Sequence, residues 1–129
     1  GRRGRCPVTA AEELRTAAAA LRARASVALM DVLCNPYWES EIVPADQPDA
    51  RYAHGVINGL GGDAAGLAAL LTPGAATLLA ESLDFAADMQ ERLEALVDGA
   101  PSLDEATWDG KPHPQLAFAR VINAKETAR

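Results

Sequence analysis

Four side chains could ligate a metal through nitrogen or sulfur: Cys6, Cys34, His54 and His113. Zinc sites usually supply such ligands in close pairs, two to five residues apart. Here all four stand alone, so a two-Cys, two-His site is not expected. The bland readings are a helix face boundary for His54 and a cap or turn before Pro114 for His113. Gly55, Gly59, Gly61, Gly62 and Gly66 form a glycine-rich run. A phosphate-binding loop would need a following Lys-Ser/Thr and a strand in front. Neither is present, and Asp63 would repel a phosphate. Close helix packing and a helix break account for these glycines better.

The carboxylates Glu81, Asp84, Asp88, Glu91 and Glu94 recur at three- and four-residue steps. Helical bundles that hold metal on carboxylates recruit them from several helices, with a Glu-x-x-His pattern. That pattern is absent, so a solvated helix face is expected. Ser26, Ser40, Ser82 and Ser102 lie outside any Gly-x-Ser-x-Gly elbow. Cys34 with His54 is conceivable as a dyad, but a free cysteine commonly behaves as a small hydrophobe. No catalytic residue, cofactor site or metal site is assigned. The distinctive chemistry is that of a surface. Tyr37, Trp38, Glu39, Glu41 and Ile42 place aromatic and aliphatic groups beside acid, and Val43 follows. Exposed together, they would resemble a binding hot spot with a charged rim. The competing reading, favoured for Trp38, is that both tryptophans fold inward to enlarge a core short of large side chains.

The elements that must position this loop are helical. Thr9 and Glu12 have capping-box spacing, so a helix should open at Ala10. Leu14, Ala18, Leu21, Ala25, Ala28 and Val32 form its apolar stripe, and Asn35-Pro36 ends it. Residues 37–48 are irregular, with a short extended segment at 40–43. Asp46-Gln47-Pro48-Asp49 opens a second helix with Ala53, Val56, Ile57 and Leu60 on its buried face, and Gly61-Gly62 stops it. Asp63 is expected to cap a third, short helix carrying Leu67, Leu70 and Leu71. Thr72-Pro73 opens a long helix that should reach about Val97, with Leu79, Leu83, Ala86, Leu93 and Val97 as its stripe. Residues 99–113 read as a loop, with Ser102 and Glu105 capping one turn and Trp108 as its anchor. A last helix should start at Pro114, carry Leu116, Phe118, Val121 and Ile122, and fray after Lys125.

Composition sets the scale of the core. Of 129 residues, 49% are hydrophobic but only 5% aromatic. Much of the apolar content is alanine, which favours helix and adds little buried area. The net charge is −6. Arg2, Arg3 and Arg5 sit at the start, and without them nine basic residues face eighteen acidic ones, a body of −9. Such a body repels phosphate backbones, which argues against nucleic acid as a partner. Residues 1–8 are expected to be a basic tail, disordered or extraneous to the fold, with a single helical domain over 9–125. The tail lacks the apolar run of a secretory signal. Two separated cysteines make no disulfide framework, which points to a reducing compartment. No apolar run approaches the length of a membrane span.

Three segments resemble one group of proteins. Asp49-Ala50-x-Tyr52-Ala53-His54 is followed by Thr72-Pro73 leading into Leu78-Leu79-Ala80-Glu81-Ser82-Leu83-Asp84, and then by Leu116-Ala117-Phe118-Ala119-Arg120-Val121-Ile122-Asn123. Across about half the chain these are similar to small Ala/Leu-rich helical proteins of actinobacteria and their phages. The resemblance implies an accessory cytoplasmic or phage-encoded protein and carries no activity. The Tyr37-Trp38 loop and the Gly55–Gly66 stretch lie outside it.

The sequence therefore predicts an all-α fold, a small bundle of two long helices and two or three short ones. The expected function is a non-enzymatic protein-interaction module acting through an acidic surface and the Tyr37–Val43 loop. The expected partner is another protein, with a basic surface, such as a nucleic-acid-binding groove, as the natural fit. Two alternatives stand beside it: a self-assembling homo-oligomer, and a small metal-dependent enzyme using His54 and His113.

Overall fold

The helix starts follow from local chemistry that the sequence displays. The computed structural model describes residues 8–104 and 110–128. Five α-helices carry the fold: α1 (Ala10–Cys34), α2 (Pro48–Leu60), α3 (Gly62–Ala68), α4 (Pro73–Leu96) and α5 (Pro114–Thr127). A 3-10 turn, Pro36–Trp38, lies between α1 and α2. No strand occurs among the described residues. The fold is all-α, with two long helices, as expected. Arg2, Arg3, Arg5, Cys6, Glu105 and Trp108 lie outside the described residues.

At the start of α1 the capping box is closed in both directions. The Glu12 amide donates to Thr9 Oγ1 at 3.1 Å, and the Thr9 amide donates to Glu12 Oε1 at 2.8 Å. Hydrogen bonding of the Glu12 carboxylate to Thr9, to its backbone N–H first and its hydroxyl second, holds the carboxyl below its ordinary value near 4.5. A lowered folded-state value stabilises the fold above the unfolded value, and the contribution is lost as pH falls through the folded one. The first turn of α1 should therefore lose amide-exchange protection as pH drops below about 4.5. Glu12→Gln should remove most of that pH dependence, since it keeps the acceptor but not the titration.

The described chain falls into two compact units. The first contains residues up to Ala20 and from Ala80 onward. Its three fully buried large side chains are Leu14, Leu83 and Leu116, one from each of α1, α4 and α5. Ala11, Ala17, Ala18, Ala87 and Ala119 fill the space around them, as a thin alanine core requires. Arg120 makes a two-pronged bond to Glu13, Nε to Oε1 at 3.0 Å and Nη2 to Oε2 at 3.1 Å, and a third to Asp104 at 2.7 Å. Asn123 donates to the Glu13 carbonyl at 3.0 Å. Arg15 bridges Asp88 at 2.5 Å and Glu91 at 2.8 Å. Part of the acidic face of α4 thus serves as counter-charge for α1.

The second unit is Leu21–Leu79. Here α2 packs on α3 and on the 3-10 turn. Asp49, in the first turn of α2, accepts from the Gly74 amide at 3.0 Å and from the Thr72 hydroxyl at 2.9 Å. It thereby supplements the Thr72 cap, whose Oγ1 accepts from the Ala75 amide at 3.2 Å. A Cβ at Gly74 would collide with the Asp49 carboxylate, so glycine is what lets the two helices share this cap.

Several expected faces are arranged differently. Segment 40–43 makes bends and no strand. Gly61, at φ 69°, is both the C-cap of α2 and the N-cap of α3, so Asp63 falls inside the first turn rather than at the cap. The buried side of α2 is not Ile57 and Leu60, both of which are exposed. Its one fully buried residue is Gly55, because two aromatic rings from the 3-10 turn occupy that side. On α4, Leu93 and Val97 are exposed, and the inner face is Ala80, Leu83, Ala87 and Gln90. Leu67, Leu70 and Leu71 are likewise exposed, while Ala65 and Ala69 are buried in their place.

Candidate functional site

The aromatic loop is built on the end of α1. Asp31, one turn before that end, accepts the Trp38 indole N–H at 2.6 Å and the Asn35 side-chain amide at 3.2 Å. Asn35 Oδ1 in turn accepts from the Tyr37 amide at 3.0 Å and caps the 3-10 turn. Asn35-Pro36 therefore both stops α1 and aims the next two rings at α2.

The rings find a glycine-lined surface. Trp38 stacks on Tyr52 with centroids 5.4 Å apart and planes 11° off parallel. Tyr37 meets Trp38 edge-on at 5.0 Å. The Tyr37 hydroxyl donates to the Gly55 carbonyl at 3.1 Å. A Cβ on Gly55 would stand 2.5 Å from the Trp38 six-membered ring, and one on Gly59 would fall on the Tyr37 hydroxyl. The glycine spacing of α2 is thus a docking strip for the loop's aromatics: the close packing expected of the glycine run is against two rings and not a helix, and it involves Gly55 and Gly59 but not Gly66, where a Cβ would meet nothing within 4 Å.

Beyond the rings, Ser40 and Arg51 fix the backbone. Ser40 Oγ accepts from the amides of Ile42 at 3.0 Å and Val43 at 3.1 Å. Arg51 donates from Nε to the Val43 carbonyl at 2.9 Å and from Nη2 to the Ser40 carbonyl at 3.3 Å. The segment that these bonds hold carries Ile42 outward at 79% exposure. Tyr37 is exposed on one flank, and Glu39 and Glu41 are exposed between them. With His54 and Asn58 they line an open groove of about 530 Å³.

All five residues singled out in the sequence are therefore in one place, in two roles. Glu39, Glu41 and Ile42 face outward, while Tyr37 lays its ring along the glycines of α2 and leaves its other side exposed. Trp38 is half-buried and acts as the loop's support. Sequence reasoning missed Arg51, Tyr52 and Asp49. Arg51 and Tyr52 gave no local signal, since their partners lie eight to fourteen residues earlier. Asp49 had one: an acid at a helix start, with a Thr-Pro-Gly helix start further along the chain.

The two histidines have local partners. His54 Nε2 pairs with the Asn58 side-chain amide at 3.0 Å. His113 Nδ1 accepts from the Gln115 amide at 3.2 Å and caps α5. Among the described residues, no three His, Cys, Asp or Glu side chains converge as a metal-binding group. No single helix among them is long and apolar enough to cross a membrane. The arrangement is that of an all-α protein with a preorganised surface loop. No known protein family, curated protein or solved structure matches the chain.

Proposed function

We propose that this protein is an interaction module that binds another protein through the Tyr37–Ile42 loop, without catalysing a reaction at that site. The observation that carries the reading is the cost of the loop's construction. A half-buried tryptophan, an arginine and two glycines hold in place a segment that presents an isoleucine to solvent. An exposed branched aliphatic group at the tip of a fixed loop contributes little to folding and is well suited to entering a partner's pocket. Fixing the loop beforehand lowers the entropy lost on binding. Glu39 and Glu41 beside it favour a basic rim on the partner and speed encounter at low salt. As an accessory protein of the cytoplasm, the setting its resemblance implies, it would act by covering a basic surface of its target.

Ile42→Asp tests this reading. A substitution at such an exposed position should change stability by less than about 0.5 kcal/mol. In affinity capture from cells of the source organism, the wild-type chain should enrich a specific protein, and Ile42→Asp should lose at least nine-tenths of it. Equal capture by both chains would remove the loop from the interface.

A further inference from the structure

Helix α4 has two apolar faces, and among the described residues only one is fully buried. The inner face is Ala80, Leu83, Ala87 and Gln90, all buried. Phe85, Met89, Leu93 and Leu96 form a second stripe, 65%, 47%, 39% and 84% exposed. At 3.6 residues per turn these four fall within an arc of about 80°, centred roughly 140° from the inner face. A soluble helix that serves one core needs one stripe. The second is made of large side chains, whereas the buried one is mostly alanine, so the helix places its greater apolar area outside.

We infer that this stripe is the contact surface for a second copy of the same chain, with the two α4 helices packed antiparallel across a two-fold axis. The charge pattern selects this occupant. Arg92 lies about 20° from the Phe85 edge of the stripe, on the same flank as Asp88 and Glu81. It is exposed, and among the described residues it makes no ion pair. In an antiparallel pair, like flanks meet. A register that sets Phe85 over the second copy's Leu96, and Met89 over its Leu93, brings Arg92 beside the second copy's Asp88, twice by symmetry. A parallel pairing in register would stack Phe85 on Phe85 and turn the Arg92 flank toward the opposite flank, where Ala86, Gln90 and Val97 offer no carboxylate. A groove of about 280 Å³ between Phe85, Met89 and Leu93 on one side and Leu103 and Gln115 on the other receives the incoming side chains.

The area sets the strength. With the Arg92 stem and Leu103, the stripe offers roughly 500 Å² per copy, which puts the pair near the lower bound of specific interfaces. The dimer is therefore reversible and concentration-dependent. It is independent of the Tyr37–Ile42 loop, which lies on other elements.

Sedimentation equilibrium of the full chain tests it. The mass should rise with concentration from 13.5 kDa toward twice that value. Phe85→Asp and Leu96→Asp should each weaken dimerisation at least tenfold while keeping the wild-type helical circular dichroism. Ile42→Asp should leave it unchanged, so failure of the dimer and failure of the loop reading are scored separately. The register is read by oxidising a mixture of two single-cysteine chains, Phe85→Cys and Leu96→Cys, both carrying Cys6→Ser and Cys34→Ser. Linkage between positions 85 and 96 should dominate. A monomer at every concentration, a dimer indifferent to both aspartates, or dominant 85-to-85 linkage would overturn the inference.

Discussion

Gly55→Ala should melt at a lower temperature than the wild-type chain, whereas Gly66→Ala should melt higher. Both glycines lie inside helices, so both substitutions gain about 1 kcal/mol of helix propensity. They differ in what the new methyl meets. At Gly66 nothing lies within 4 Å, so the gain stands alone. At Gly55 the methyl stands 2.5 Å from two atoms of the Trp38 ring. The ring cannot yield cheaply. Its indole N–H is held by Asp31, Tyr52 stacks on it, and Tyr37 abuts its edge. Overpacking of a held group costs about 1–3 kcal/mol, more than the propensity gain. The expected net change is a loss of about 1 kcal/mol or more, together with a displaced loop. Partner capture should fall with it although no outward-facing atom has been altered. Thermal unfolding of the two variants side by side checks the opposite signs, and capture by Gly55→Ala checks the link from support to function.

Leu83→Ala should be the most damaging single truncation. Among the described residues, Leu14, Leu83 and Leu116 are the large side chains fully removed from solvent, and the rest of that core is mainly alanine. Truncating a buried leucine costs about 3–5 kcal/mol where neighbours cannot collapse into the space. Alanine neighbours have no side chain to move, so the upper half of that range is expected. Against a total stability of about 5–15 kcal/mol, such a loss should lower the melting temperature by roughly 10 °C or more. Leu93→Ala on the same helix is the contrast. Leu93 is 39% exposed, and its truncation should cost a monomer only about 1–2 kcal/mol. Denaturant unfolding of both variants, at concentrations below dimer formation, distinguishes the inner face from the outer one. Equal losses would mean that the outer stripe is packed within the chain.

What the sequence made legible was local. Helix ends were readable because capping chemistry is confined to a few residues: Thr9 with Glu12, Asn35-Pro36, Thr72-Pro73 and the glycine at 61. The stripe of α1 was readable because its inner face holds Leu14, Leu21 and Val32 at regular helical steps, although Val27, Met30 and Leu33 leave a second apolar set exposed on the same helix. Faces were misjudged wherever a helix has two apolar sides. Ile57 and Leu60 on α2, and Leu93 on α4, have helical spacing that fits a core as well as the truly buried sets do. Periodicity cannot choose between faces when the smaller side chains take the inside. At Gly55 the inward side is marked by the absence of a side chain, which hydrophobic patterning does not register. The loop's outward residues were visible as aromatic and acidic types crowded together. Its fixity was not, because Arg51 and Tyr52 act on backbone and rings well before them in the chain.

The proposal that Ile42 enters a partner's surface is tested most directly by site-specific photocrosslinking from that position. A photoreactive residue placed at 42, with one at exposed Ala124 as control, would be irradiated in living cells of the source organism and the adducts identified by mass spectrometry. One dominant protein adduct is expected from position 42, absent from position 124, whose linked peptide borders a basic surface. No adduct at position 42, or the same mixture of adducts from both positions, would contradict the proposal.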